Sequence, residues 1–199
     1  MTKIIDKRAS TQWKKSSISY QNYQNYISNK NNKFELTFID LLYVSNFKGG
    51  NATINEPERE INLKLKSYSK LFLTIEYEFQ NLKLSNLSIK QINHLNTLVN
   101  EVCDLTLRKS EYKIDGFSVS YLSALLNAYF PLLIPILDRR ILINIELVTE
   151  KDRDKQDQIK DIQRFFSPLI KKMAEISKEF QKSIREIDRE LFVLKITKN

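Results

Sequence analysis

The residue types best suited to chemistry in this sequence are one carboxylate and two arginines that follow a proline. Pro135 interrupts regular structure, and Asp138 stands three positions later, at the start of an apolar segment, 139–147, that is predicted to be a helix. An aspartate at this place either caps the helix or holds a fixed negative charge against a ligand. Arg139 and Arg140 come next, and they either bind phosphate or pair with acids.

A tight turn at Asp115–Gly116 lies upstream of that carboxylate and precedes a second predicted helix, for which Ser118 is the cap. Together with residues 98–110, this turn would form a helix–hairpin–helix. The backbone N–H groups of such a turn and the positive end of the next helix bind one phosphate without reading base sequence, and Lys113 would add a charge. A simple loop between two helices explains the same spacing equally well.

Apolar side chains recur at helical spacing along most of the chain and predict an all-α fold. The clearest seam runs through residues 57–82, although part of it also alternates with the period of a strand. Two pairs of residues match the capping box that begins a helix: Ser88 with Gln91, and Ser183 with Glu186. A helix is also expected over 34–47, with four side chains turned inward: Leu36, Ile39, Leu42 and Tyr43.

The composition favours a single all-α domain with a polyanionic partner. Only three glycines and four prolines occur in 199 residues, which argues against a turn-rich β-sandwich. The net charge of +8 favours a polyanion such as double-stranded DNA, although a merely solvated basic surface has the same charge. No apolar run approaches the roughly 18 residues of a membrane span, and no signal peptide is evident. We therefore expect a cytoplasmic protein without membrane contact.

The first 33 residues are polar and basic, and they are predicted to be distinct from a helical domain over 34–199. Trp13 and several tyrosines alternate there with lysines, and such a segment can stack on bases while its charges follow a phosphate backbone. The favoured alternative is a mobile tail, or an amphipathic helix that packs Tyr23 and Tyr26 on the body, because this composition is common.

About 30 residues in the central stretch resemble the hairpin and catalytic-aspartate segment of the helix-hairpin-helix DNA glycosylase superfamily. They are most similar to its adenine-mismatch branch, in which a G-x-G hairpin precedes F-P-I-L-D at the spacing seen here between Gly116 and Asp138. The resemblance implies that Gly116 is the first hairpin glycine and that Asp138 is the catalytic aspartate. Ser120 stands where bifunctional members carry a Schiff-base lysine, which implies an enzyme without lyase activity.

The chain also departs from that branch. Ser118 replaces the second hairpin glycine, and Arg139 and Arg140 replace small or polar residues. The glutamate that protonates the base in that branch has no evident counterpart. The single cysteine, Cys103, excludes a disulfide framework, a zinc cluster and a four-cysteine iron–sulfur site. No metal or other cofactor is expected.

Three functions stay open at this point. The first is a monofunctional DNA N-glycosylase, a hydrolase that flips a damaged or modified base from the stack while Asp138 stabilises positive charge on the sugar. The second is a non-catalytic DNA-binding protein, and the third is a protein-interaction or scaffold domain. The sequence identifies neither the base nor the oligomeric state. The expected DNA contacts are Lys113, Gly116, Ser118, Ser120, Arg139 and Arg140.

Overall fold

The backbone of residues 4–49 and 53–195, the part described in the computed structural model, consists almost entirely of helices and turns. Two isolated bridges, Ile5 to Leu194 and Arg153 to Ile159, are the only strand-like pairings in these ranges. The expected all-α, single-domain fold is therefore confirmed. The helices, in chain order, are α1 Lys7–Ser28, α2 Phe38–Phe47, α3 Glu58–Phe79, α4 Ile89–Asp104, α5 Val119–Tyr129, α6 Arg139–Asn144, α7 Phe166–Phe180 and α8 Ile184–Phe192, with 3₁₀ turns at Leu84–Asn86, Glu150–Asp152 and Ile162–Phe165.

The seam predicted in residues 57–82 is a helix, α3, and not a strand. Its apolar side chains repeat at steps of three and four residues, so they form one stripe that packs into the core. Both predicted capping boxes are confirmed, with Ser88 opening α4 and Ser183 opening α8. The buried residues of the α3 stripe are Ile61, Leu65, Tyr68, Phe72, Ile75 and Phe79.

Helix α1 packs on the same core as the rest of the protein. Its Tyr20, Tyr23 and Ile27 are buried. Tyr26 stacks on Tyr43 of α2, with the ring centroids 4.9 Å apart. Of the two arrangements considered for the N-terminal segment, a mobile tail and a packed amphipathic helix, residues 7–28 adopt the helix. Most of its lysines and arginines are exposed to solvent.

The inward face predicted for helix α2 is wrong at two positions. Ile39 and Leu42 are about half exposed, whereas Asp40 and Leu41 are buried. Helix α2 is rotated about its axis so that Asp40 faces the core, where its carboxylate accepts hydrogen bonds from several core side chains and from a backbone N–H. The donors are the hydroxyls of Tyr23 and Tyr129, the Lys30 ammonium, and the N–H and hydroxyl of Thr37. A buried charge needs such partners, and satisfying them outweighs exposing two aliphatic side chains.

Helices α4 and α5 are joined by residues 105–118, a run of turns in which the tight turn at Gly116 is present. The φ angle of Gly116 is 81°, a left-handed conformation that favours glycine. A Cβ atom there would also overlap the carbonyl of Thr53. A compact helix–hairpin–helix is not seen in the described residues, because this connection is much longer than a hairpin turn.

Candidate active site at the Asp138 cleft

Helix α5 holds the segment that delivers Asp138. The hydroxyl of Ser120 donates to the carbonyl of Leu137 at 3.0 Å, and the hydroxyl of Ser123 accepts from the N–H of the same residue at 2.8 Å. One turn further on, the side-chain amide of Asn127 donates to the carbonyl of Ile134 at 2.7 Å. Three polar side chains on a buried helix therefore tie the backbone that immediately precedes Asp138. The contact that Ser120 makes here is with the backbone of Leu137, the residue before Asp138.

Asp138 is both a helix cap and a carboxylate that faces a cleft. Its Oδ1 accepts from the backbone N–H of Arg140 at 2.9 Å, which caps α6. Its Oδ2 lies 3.3 Å from the Lys48 ammonium, and the Asp138 side chain is 23% exposed. Asp138 can therefore serve as a helix cap through Oδ1 and present a negative charge to the cleft through Oδ2.

Four helices, α1, α2, α6 and α8, contribute to the walls of the pocket that Asp138 lines, which we call the Asp138 cleft. It encloses about 60 Å³. A cavity that binds a benzene ring has a volume of about 150 Å³, so this cleft admits a nucleobase only after side chains at its mouth move. The lining residues are Gln12, Trp13, Ser16, Phe47, Lys48, Ile136, Asp138, Ile141, Arg185, Asp188 and Phe192.

A second aspartate, Asp188 of α8, borders the same cleft and was not anticipated. It is 0% exposed, and neither of its carboxyl oxygens forms a hydrogen bond with a described residue. Burial raises the pKa of Asp188 to about 7, the negative charge of Asp138 adds to the rise, and the cations Arg185 and Lys48 oppose it. The sequence signal was present, since Asp188 lies four residues after Ile184 and inside the buried stripe of α8.

Arg185 is the other unanticipated member of the cleft. Its guanidinium is sandwiched between the rings of Trp13 and Tyr20, 4.1 and 4.3 Å from their centroids. Burial lowers the pKa of Arg185, while the charge of Asp188 opposes that change. No hydrogen bond or ion pair joins this guanidinium to another residue of the described ranges. Its planar edge is therefore available to a ligand.

The turn at Gly116 lines a different surface groove from that of Asp138. The backbone N–H of Asp115 donates to the Glu56 carboxylate at 2.6 Å, so one donor expected to bind phosphate already has an anionic partner. Lys113 pairs with Asp115 at 2.8 Å. Ser118 stands at the cap position of α5, but its side chain makes no capping hydrogen bond. Lys113, Gly116 and Ser118 lie together along this groove, while Ser120 faces the Asp138 segment.

Arg139 and Arg140 are both engaged within the protein. Arg139 donates to the carbonyl of Asp157 at 2.7 Å and also pairs with its carboxylate. Arg140 donates to the carboxylate of Asp6 and to the carbonyls of Phe192 and Leu194. This second arginine therefore joins the beginning of α1 to the end of α8, a structural role that leaves little of its guanidinium for phosphate.

Other cations surround the Asp138 cleft instead. Arg8 and Lys15 lie four residues before and three residues after Gln12 on α1, so they share its side of the helix. Arg189 lies four residues after Arg185 on α8. All three flanking cations are exposed, and the described ranges hold no acidic partner in an ion pair with any of them. The rim of this cleft is therefore basic, with α1 and α8 as its sources of charge.

Comparisons with protein-family models, curated proteins and solved structures find no match to this chain. No helix in residues 4–49 or 53–195 is both long enough and apolar enough to cross a membrane. Within the same ranges, no cluster of three or more histidine, cysteine or acidic side chains is arranged to hold a metal ion.

Proposed function

We propose that this protein is a monofunctional DNA N-glycosylase that binds double-stranded DNA in the cytoplasm and releases a damaged or modified base. The observation that carries the proposal is the placement of Asp138. Its carboxylate lies at the start of α6, beside Lys48, in a cleft that also holds an unpaired arginine stacked on aromatic rings. A fixed carboxylate beside an aromatic platform suits a reaction in which a flat base leaves a sugar that becomes positively charged.

Asp138 has the chemistry that cleavage of a glycosidic bond requires. As the bond between C1′ and the base breaks, positive charge develops on the deoxyribose, and a preorganised carboxylate stabilises that charge by a few kcal/mol. Ser120, which donates to the carbonyl of Leu137 next to Asp138 in the chain, carries a hydroxyl and no amine, so it cannot form a Schiff base with C1′. Water therefore completes the reaction, and strand cleavage is not expected.

The rim of the cleft supplies the groups that would bind the nucleic acid. Arg8, Lys15 and Arg189 carry charges that can follow phosphates on both sides of the opening. The free edge of the Arg185 guanidinium, held between Trp13 and Tyr20, offers hydrogen-bond donors to an extruded base. The groove along Gly116 is a second place for a phosphate, once Lys113 exchanges its exposed partner Asp115 for the ligand.

The replacement Asp138→Asn tests this function. The wild type is assayed for base release from duplexes that carry uracil, hypoxanthine, 7-methylguanine, or adenine opposite 8-oxoguanine. We expect the variant to fold and to bind duplex DNA like the wild type, while base release falls at least about 100-fold, because the amide keeps the cap but lacks the charge. Asp6→Asn is the matched control, since Asp6 also caps a helix and pairs with a cation but lies outside the cleft. Equal activity of wild type and Asp138→Asn would contradict the proposal.

A non-catalytic DNA-binding protein is the second candidate, and the small volume of the cleft favours it. In the present conformation, about 60 Å³ cannot take up a base. If the wild type binds duplexes with a steep dependence on salt but releases no base from any of them, this second function replaces the first.

A further inference from the structure

Asp188 stands out among the buried polar groups of the described ranges. Side-chain atoms without a hydrogen-bond partner belong to Asn96, Asn127, Arg153 and Asp188. Of these four residues, only Asp188 carries a carboxyl group and only Asp188 lines the Asp138 cleft; both of its carboxyl oxygens lack a partner among the described residues, and its side chain is fully buried. A buried carboxyl group without partners is disfavoured as an anion, so it retains its proton more readily than an exposed one.

The groups that face Asp188 come from every element around it. Lys48 at the end of α2 and Arg185 on α8 favour its charged form, while Asp138 before α6 disfavours it; Tyr20 on α1 also faces this group but is uncharged. The backbone of Ile136 also lies close enough to favour the anion, although no well-formed hydrogen bond reaches either oxygen. Burial outweighs these opposing charges. The cleft therefore contains one carboxylate beside a cation and one carboxyl group that tends to be neutral.

We propose that Asp188 is the proton donor of the Asp138 cleft and protonates the departing base. This inference rests on the proposed glycosylase function. The electron pair of the bond between C1′ and the base nitrogen leaves with the base, and the Asp188 proton is transferred to a ring nitrogen of that base. Water adds its oxygen to C1′ and releases a proton to the solvent, from which Asp188 is protonated again. Asp138 stays negative through these steps and stabilises the positively charged sugar.

Two carboxyl groups whose surroundings differ in this way commonly divide the roles of acid and charge stabiliser. Asp138 contacts two donors, the backbone N–H of Arg140 and the Lys48 ammonium, which hold its carboxylate in place to face a developing positive charge. Asp188 has no acceptor among the described residues, so its O–H is free for a nitrogen of an incoming base. Because the Trp13 and Arg185 pair covers this region, the base would reach Asp188 by displacing part of that stack.

The test compares Asp188→Asn with the wild type on two kinds of leaving base. A duplex with hypoxanthine, or with adenine opposite 8-oxoguanine, has a neutral base that needs a proton. A duplex with 7-methylguanine has a base that is already cationic. We expect Asp188→Asn to lose at least about 100-fold in single-turnover release of the neutral base, the usual contribution of a general acid, and less than about tenfold with 7-methylguanine. The comparison variant Asp138→Asn should lose activity on both.

The pH profile gives a second readout that a purely structural role would not change. Wild-type release of the neutral base should fall about tenfold per pH unit above about 7, because burial raises the pKa of Asp188 to about 7 and the proton is lost above that pH. This fall should be absent with 7-methylguanine and absent in Asp188→Asn. Glu190→Gln, an exposed change on the same helix, should keep the wild-type profile.

The possible failures can be told apart. If Asp188→Asn releases the neutral base as fast as the wild type, or loses both bases equally, the donor role is overturned while the glycosylase function stands. A wild type that releases no base at all overturns both. The ¹³C carboxyl signal of Asp188 provides a measurement that does not depend on activity. A signal that already shows a carboxylate at pH 5.5 overturns the donor role by itself.

Discussion

At the scale of single residues, two buried aspartates differ in how their charge is stabilised. Asp40 accepts hydrogen bonds from the Lys30 ammonium and from the hydroxyls of two tyrosines. Asp188 has equal burial and none of these partners. Hydrogen-bond donors stabilise a buried carboxylate, so such a group can serve the fold. A buried carboxylate without donors destabilises the folded protein, and its presence calls for a functional explanation. This contrast is the physical basis for assigning structure to the first and chemistry to the second.

The replacement Asp188→Asn should change how stability depends on pH. The folded pKa of Asp188 is raised from 3.8 to about 7, so the folded protein holds this proton where the unfolded chain has released it. The free energy of unfolding therefore decreases as the pH rises through this range, by at most about 4 kcal/mol from this group. Chemical denaturation at pH 5 and pH 8 measures it.

We expect the variant to be more stable than the wild type at pH 8, and the difference between the two to be smaller at pH 5. Glu190→Gln on the same helix serves as the control, because the Glu190 carboxylate is exposed and its charge is hydrated in the folded protein as it is in the unfolded chain. A wild type and an Asp188→Asn variant with parallel stability profiles would show that Asp188 is already ionised in the folded protein.

At the scale of elements, α5 and the turn before it fix the geometry of the site. The polar side chains of this helix hold the backbone before Asp138 on one side. On the other side, the turn before the helix packs tightly against the chain near Thr53, which leaves no room for a side chain at Gly116. Helix α5 is thus fixed at two places: the turn at Gly116 packs against Thr53, and its serines bind the backbone before Asp138.

The replacement Gly116→Ala should destabilise the fold by roughly 2–4 kcal/mol. The left-handed conformation costs about 1 kcal/mol for a residue with a Cβ, and the overlap with Thr53 adds strain. Gly49→Ala is the matched control, because Gly49 also has a positive φ, of 105°, but has open space around it. Thermal or chemical unfolding of both variants measures the difference. A loss no larger for Gly116→Ala than for Gly49→Ala would mean that the turn and Thr53 can separate at little cost.

At the scale of the whole molecule, positive charge is divided between paired and unpaired cations. Lys113, Arg139 and Arg140, which are among the expected DNA contacts, each pair with an aspartate. The cations without such partners that lie near the candidate site are on α1 and α8, around the Asp138 cleft. An ion pair cancels much of the field of its cation, so it is the unpaired charges that attract a polyanion over distance.

The combined replacement of Arg8, Lys15 and Arg189 by Gln should weaken binding to duplex DNA for all base sequences alike. Each lost phosphate contact lowers the slope of log affinity against log salt by about 0.9, so we expect the slope to fall by about 2–3. The control replaces Arg59, Lys66 and Lys70 on α3 by Gln, which removes equal charge from exposed positions away from the cleft. Binding measured by anisotropy between 50 and 200 mM salt compares the two. Equal slopes for both triple variants would place the DNA elsewhere on the surface.

Most of the helices, and the position of Asp138 at a helix start, follow from local sequence patterns. The α3 stripe, the capping boxes at Ser88 and Ser183, and the aspartate at the start of α6 all depend on residues within a few positions of one another. Such short-range relations follow from the 3.6-residue repeat and from the free N–H groups at a helix start, which act alike in any surroundings. The orientation of α2 and the expected helix–hairpin–helix between α4 and α5 were the exceptions, because each depends on how segments of the chain pack against one another.

The groups that share the site come from distant parts of the chain and are brought together by helix packing. Asp188 meets Asp138, and Arg185 enters between Trp13 and Tyr20, through the packing of α8 against α1 and α6. Periodicity tells which face of a helix is buried but not which distant helix lies against it. The partners of an aspartate therefore cannot be deduced from its neighbours in the chain. Charge and proton affinity depend on those partners, so the second carboxyl group became visible as a candidate acid only once the helices were placed.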